Sequence, residues 1–290
     1  MANSISLSKV YTNLLDEVYQ QSALTAGLES DASLARQGAN ANEIVIPKLS
    51  MDGLADYSRN SGYVKGDVSL TWETVQFNYE RGRMFTVDDM DNEETQNIAF
   101  GRLAGEFIRT KVVPELDAFR FATYAATTGA GTSTGALATG VDVIAALRAA
   151  TSEMDEAEVP MEQRLLYITP TLYGLIQDMD STKSRDVLAR FESITQVPQT
   201  RFYSAIELLD GTTGGEEKGG YKKANGAVEL NFEIIHKPAT LQFTKHAVPK
   251  VISPELNQDA DAWKYGYRNY GLCDTYENKA AGIYVHKKSV

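Results

Sequence analysis

The rhythm of apolar and polar positions changes several times along the chain, and each change marks an element. Over residues 1–41, Ile5, Leu7, Val10, Leu14, Leu15 and Val18 recur at roughly helical spacing, and a polar Ala/Ser/Gly-rich stretch follows from Ala26. This region reads as an arm, too short to fold alone, which must dock on the rest of the chain or on a neighbour. From 42 to 88 the pattern becomes β. Glu43–Leu49 is a short strand whose Pro47 places it at a sheet edge or bulge, and Met51–Asp67 is a Gly/Asp/Asn/Ser-rich loop tip. Val68, Leu70 and Trp72 then alternate on one face, and the alternation slips to Val75, Phe77 and Tyr79. A one-residue slip moves side chains to the other face, so a bulge or a crossing between environments is expected near Thr74. The two strands make an extended hairpin that is marginal on an isolated monomer and makes sense lying across a second subunit.

Beyond an acidic cluster (Asp88, Asp89, Asp91, Glu93, Glu94) the period turns helical as far as Thr127, with a stripe of Leu103, Phe107, Val112, Leu116, Phe119 and Tyr124. Such a helix would span roughly 45 Å, kinked at Pro114. Thr127–Gly140 is a low-complexity Gly/Thr/Ala run that reads as a flexible connector. A helix over Asp142–Ala157, a buried strand over Arg164–Thr169 and a helix opening at Pro170, capped by Thr169, come next. After a second Gly-rich loop, Gly211–Gly226, the chain is strand-rich: Val228–His236, Pro249–Ile252, Lys264–Thr275 and Ala280–His286. The last two read as an antiparallel pair. The whole is an α+β pattern without internal repeats.

Composition narrows the function. With 43% hydrophobic and 23% charged residues the 290-residue chain is globular, and fifteen tyrosines suit half-wet interface positions. A net charge of −11 disfavours gripping a phosphate backbone. One cysteine, Cys273, excludes a disulfide framework and a cysteine zinc cluster. No secretory signal and no membrane-length apolar run is evident, so a soluble protein made in a reducing cytoplasm is expected.

Candidate chemistry is thin. Gly131-Thr-Ser133-Thr-Gly135 matches the serine-hydrolase G-x-S-x-G pattern, yet it follows a helix and sits within the connector, where no strained strand-to-helix turn can expose the serine. Gly129 and Gly131 lack the Gly-Lys-Ser/Thr ending of a phosphate loop. The acidic run has Glu94 where a calcium loop starting at Asp89 requires glycine. His236, His246 and His286 have no metal-ligand spacing and read as solvated or interface residues, and Cys273 as a buried, inert thiol. The pairs Lys222-Lys223 and Lys287-Lys288 read as solvated. Neither an active site, a metal nor a cofactor is expected.

Several stretches resemble major capsid proteins of tailed bacteriophages with the Hong Kong-type capsid fold: Val112–Tyr124 (VVPELDAFRFATY), Arg164–Leu175 (RLLYITPTLYGL), Ile234–Lys245 (IIHKPATLQFTK) and, nearest of all, Ile252–Val285. The order of elements is similar too. The resemblance implies an N-terminal arm (1–41), an extended E-loop hairpin (42–88), a peripheral domain with spine helix and connector (89–140), an axial domain (141–247) and return strands of the peripheral domain (248–290). It implies a non-enzymatic subunit that assembles as pentamers and hexamers into an icosahedral shell around double-stranded DNA. The expected location is the virion capsid, assembled in the host bacterial cytoplasm without a membrane. Intersubunit contacts are expected from Tyr57, Arg59, Tyr63 and Lys65 at the loop tip and from Trp72, Phe77, Tyr79 and Arg81 along its second arm. Lys48, Lys65 and Asn257 are available for the covalent cross-links of some relatives, but nothing local singles them out. The hairpin begins by residue 43, so a separate scaffolding protein is expected, together with a portal. An encapsulin-like compartment subunit of the same fold is the alternative, and an esterase using Ser133 is a third reading.

Overall fold

The computed structural model describes residues 23–30, 36–37, 43–60, 62–94, 98–179 and 182–289; the apolar spacing between Ile5 and Val18 lies outside them. The strands run in chain order as β1 (Arg36–Gln37), β2 (Glu43–Met51), β3 (Val68–Gln76), β4 (Tyr79–Asp88), β5 (Gly131–Gly135), β6 (Arg164–Ile168) and β7 (Ser193–Gln196). They continue as β8 (Ile206–Leu208), β9 (Tyr221–Lys223), β10 (Leu230–His236), β11 (Thr240–Ile252), β12 (Ala262–Thr275) and β13 (Ile283–Lys288). The helices are α1 (Asp89–Glu94), α2 (Ile98–Phe107), α3 (Val113–Ala125), α4 (Gly140–Glu156), α5 (Pro170–Gln177) and α6 (Thr182–Leu188).

The expected hairpin forms: β2 and β3 pair antiparallel without a shift from Glu43↔Gln76 to Met51↔Val68, with Pro47 opposite Trp72. The slip in alternation corresponds to a change of sheet. The chain leaves the hairpin after Gln76, and β4 joins the three-stranded antiparallel sheet β11-β12-β4. The crossing falls at Phe77 and Asn78 rather than near Thr74. Asn78 fixes it by donating to the Cys273 carbonyl (2.7 Å) and accepting from the Cys273 N–H (3.1 Å).

Asp88 ends β4, and the rest of the acidic cluster is helical, with Asp89 and Asp91 in the first turn of α1. The long helix is broken one turn earlier than Pro114 suggests. Between α2 and α3 lies a π-turn, Ile108–Val112, in which the Val113 N–H reaches back to the Ile108 carbonyl. Pro114 has no N–H to offer the ladder, and widening the preceding turn is one way to change register without ending the helix. The stripe also differs from the expected one: Asp117, Ala118, Arg120, Phe121 and Tyr124 are buried, while Leu116 and Phe119 are half-buried.

A five-stranded mixed sheet, β5-β13-β10-β6-β7, holds the main core. Alternation along its strands feeds two layers. Leu165, Tyr167, Ile235, Ile283 and Val285 pack with Phe121 and Tyr124 of α3. Leu166, Ile168, Phe232, Ile234 and Tyr284 pack with Leu147 and Met154 of α4 and with Ile176 of α5. The helix α4 opens with a capping box between Thr139 and Asp142. Thr169 occupies the N-cap of α5, but its hydroxyl makes no capping bond.

Two expectations are corrected here. The Gly/Thr/Ala connector contains β5, which pairs in parallel with β13 and is held as an edge strand. The strands β12 and β13 are not a pair, because a 3-10 turn (Glu277–Gly282) carries the chain from one sheet to the other. The last strand therefore closes the sheet built mainly by residues 131–236, and β11 runs unbroken across 247/248. Backbone pairing between strands distant in sequence leaves no local signal, which is why the sequence placed these strands differently.

Candidate intersubunit surface

The hairpin is anchored at its base, and farther out its apolar side chains are exposed. Ile44 and Ile46 are buried against Leu241 and Leu272, with Val75, Phe77 and Phe243 around them. Farther out, Met51, Val68, Leu70 and Trp72 are exposed, Trp72 at 49% and Leu70 at 55%. Val68, Leu70 and Trp72 lie on one face by the period of the strand. At the tip, Asp52 and Asp67 close the loop: the Asp52 N–H donates to the Asp67 carbonyl (3.1 Å), and the Asp67 N–H donates to the Asp52 carboxylate (2.8 Å). A tighter turn is closed between Ser58 and Gly62, with Gly62 at φ 80°. This fold-back brings Tyr57 and Tyr63 edge to face at 4.8 Å, yet Tyr63 stays 88% exposed. Arg59 and Lys65 are exposed beside them. The result is an apolar stripe ending in two aromatic rings and two cations.

The remaining expected contact residues lie elsewhere. Phe77 is half-buried where the chain changes sheet, stacked on Tyr270 at 4.8 Å with the Lys245 ammonium 5.0 Å from its ring centroid. Tyr79 is buried on β4, its ring 4.9 Å from Phe119 and its hydroxyl donating to Glu115 Oε1 at 3.2 Å. Burial, and then the Glu115 charge, push that phenol far above its ordinary range. Arg81 pairs with Glu115 at 2.8 Å and donates to the carbonyls of Leu209 (2.7 Å) and Gly220 (3.3 Å). Tyr79 and Arg81 thus bind the subunit's own parts together and are not presented along the hairpin. The period-two pattern read through the change of sheet, so it placed them one element too far out.

The Gly-rich loop after β8 is fixed by the same strand. Besides the two bonds from Arg81, Arg83 donates to the Glu217 carbonyl at 2.8 Å. Positive φ at Gly211 (76°), Gly219 (64°) and Gly220 (88°) lets the loop fold back onto β4.

The serine motif is a paired strand rather than a strand-to-helix turn. Ser133 lies in the middle of β5, with His286 as its cross-strand neighbour. The His286 Nδ1 lies 3.0 Å from Asn231 Nδ2, and the Ser133 hydroxyl has no hydrogen bond to that ring. His236 and His286 are buried rather than solvated, and burial lowers the pKa of both rings. Cys273 is buried, its thiol pushed up to about 12 chiefly by desolvation. Among the described residues no cluster of His, Cys, Asp or Glu could hold a metal ion, and no helix is long and apolar enough to cross a membrane.

Neither a protein-family model nor a curated relative matches the sequence. Solved structures match the fold over nearly the whole chain. The capsid structure of the cyanophage P-SCSP1u is similar at a TM-score of 0.65 and 13% identity, over 97% of this chain and 93% of that one. The mature capsid of bacteriophage PhiM1 is similar at 0.65 and 11% identity, over 97% and 92%. A virus-like particle from Pyrococcus furiosus is similar at 0.51 and 12% identity, over 82% and 86%. The likeness spans nearly the whole length of both chains in the phage capsids, and the chain has the Hong Kong-type fold of tailed-phage major capsid proteins.

Proposed function

We propose that the chain is the major capsid protein of a tailed bacteriophage, a non-enzymatic subunit that forms pentamers and hexamers of an icosahedral shell around double-stranded DNA. One observation carries this reading beyond the fold. The hairpin leaves an apolar stripe and two tyrosines in water, which a monomer has no use for and a second subunit would cover. Tyr57, Arg59, Tyr63, Lys65 and Trp72 are its contact residues: the rings bury area against the neighbour while the cations meet carboxylates of a chain with net charge −11. In the terms of the fold, 43–76 is the E-loop, the long helix is the spine, and the five-stranded sheet is the body of the axial domain. A separate scaffolding protein and a portal complete the assembly in the host cytoplasm. The acidic surface supports a wall that confines DNA without sequence-specific grip.

The likeness to the Pyrococcus furiosus particle supports a second reading, an encapsulin-like compartment, though at a lower TM-score and coverage than the phage capsids. Electron microscopy of the protein, produced with and without a co-expressed scaffolding protein, tests the first reading. Closed shells or rings of five or six subunits are expected, and monodisperse single subunits under both conditions would refute it. The content of shells recovered from infected cells, genome or protein cargo, separates the two readings.

A further inference from the structure

A groove of about 1020 Å³ runs between the interrupted long helix, the three-stranded sheet and the Gly-rich loop. Its floor is aromatic: Phe107 meets Phe85 edge to face at 4.8 Å and Tyr267 at 6.3 Å. Its rim is cationic. Lys111 stands exposed on the π-turn, Lys218 stands exposed on the Gly-rich loop, and Arg83 of β4 lines the groove while donating to the Glu217 carbonyl. The carboxylates nearby are engaged within the chain. Glu115 holds Arg81, Glu106 holds Arg109, and Asp210 accepts from the N–H groups of Thr212 (2.7 Å) and Thr213 (2.8 Å) in its own turn. Positive charge therefore collects at one recess of a protein whose net charge is −11. The π-turn that forms one wall is a rare distortion, frequent at functional sites.

We propose that this groove is the docking site for an acidic, apolar-containing peptide segment of a partner protein. The partner's apolar side chains enter the aromatic floor, and its carboxylates face Lys111, Lys218 and Arg83. A recessed apolar floor suits peptide side chains and offers nothing to a duplex, whose phosphates would meet only the rim. The inference stands on the groove alone and does not depend on the shell reading.

The test uses the full chain and labelled peptides of about ten residues with Leu and Tyr at fixed places and Glu, Gln or Lys elsewhere, read by fluorescence anisotropy. The Glu peptides should bind about tenfold or more tighter than the Gln peptides, and their affinity should fall as salt is raised. K111E/K218E should weaken the Glu peptides by about tenfold or more, while K250E, an exposed lysine of β11 outside the groove, leaves them unchanged. Both lysines are exposed, so circular dichroism should show the double variant as folded as the parent, and each single variant should give part of the effect. Equal binding of Glu and Gln peptides, or indifference to K111E/K218E, would overturn the proposal. So would tighter binding of a short DNA duplex that is lost in the same double variant, which would make the groove a nucleic-acid site.

Discussion

The carboxylate of Asp117 on the long helix and the guanidinium of Arg201 in the turn after β7 form an ion pair at 3.0 Å, with side chains 0% and 2% exposed. The pair joins the helix to the five-stranded part of the fold. Asp117 does more than this: it accepts the N–H groups of Leu24 (3.1 Å) and Thr25 (3.2 Å) and the Thr25 hydroxyl (2.7 Å). Arg120, one helical turn on, donates to the Thr25 hydroxyl at 3.0 Å, and Gln242 of β11 donates to the Thr25 carbonyl at 2.9 Å. One carboxylate thus sits where segment 23–30, the helix and the turn after β7 meet. Satisfied in this way, two buried charges are tolerable; left unmatched, either one is costly.

Removing one partner should therefore destabilise the subunit strongly. Arg201→Met and Asp117→Leu should each lower the unfolding free energy in urea by about 3–5 kcal/mol. The two should differ in where they loosen the chain. Arg201→Met leaves Asp117 its donors from 24 and 25, whereas Asp117→Leu releases them, so hydrogen exchange at residues 23–30 should accelerate far more in the second variant. Equal protection of that segment in both would show that Asp117 does not hold it.

The exposed stripe should matter to assembly and not to folding. Leu70 is 55% exposed on the free part of β3. Leu70→Glu should leave the thermal midpoint of the dissociated subunit nearly unchanged, within about 0.5 kcal/mol of stability. It should abolish shells or rings seen by electron microscopy, because a carboxylate would have to be desolvated in the contact. Shells at the parent's yield would remove this stripe from the interface.

What the sequence made legible was whatever local pattern encodes. The hairpin and the helical run could be read from their periods, the buried strand at 164–168 from its unbroken apolar run, and the helix at Pro170 from the Thr-Pro that opens it. What it hid was pairing at a distance. The β5 run GTSTG has the composition of a linker, and it becomes a strand because β13 lies beside it. Tyr79 and Arg81 continue an alternation whose sheet has changed under them. The charged positions Glu115, Asp117 and Arg120 interrupt a largely apolar run, VVPELDAFRFATY. Charges at such positions were the available signal that the helix is buried nearly all round and that polar partners arrive from elsewhere in the chain.

The close approach of α4 to α5 depends on a missing methyl. A Cβ at Gly140 would lie 2.3 Å from the Leu175 carbonyl oxygen and 2.5 Å from the Met179 sulfur. The sulfur can move aside, but the carbonyl belongs to a helix and cannot. Gly140→Ala should thus cost about 1–3 kcal/mol of stability, although alanine is the better helix former. A variant as stable as the parent would mean that α5 shifts freely against α4.

Glu233 should make the subunit less stable as the medium becomes more alkaline. It lies in the middle of β10, fully buried, and among the described residues neither carboxylate oxygen has a hydrogen-bond partner. Its cross-strand neighbours are Tyr167 on β6 and Val285 on β13. Among charged groups, Lys287 on β13 favours ionisation, and Asp117 of α3 acts on the same Tyr167 that Glu233 does. Desolvation outweighs the lysine and raises the carboxyl pKa well above its ordinary range. The folded chain then holds a proton that the unfolded chain releases near the ordinary carboxylate pKa. Stability is therefore greatest below that ordinary value and declines as pH rises towards the raised one. Glu233→Gln keeps the shape and removes the ionisation. It should be more stable than the parent at about pH 8, by about 1 kcal/mol or more, and nearly equal to it at about pH 4. Parallel pH profiles for the two proteins, measured by urea unfolding, would show that Glu233 finds a partner when it ionises.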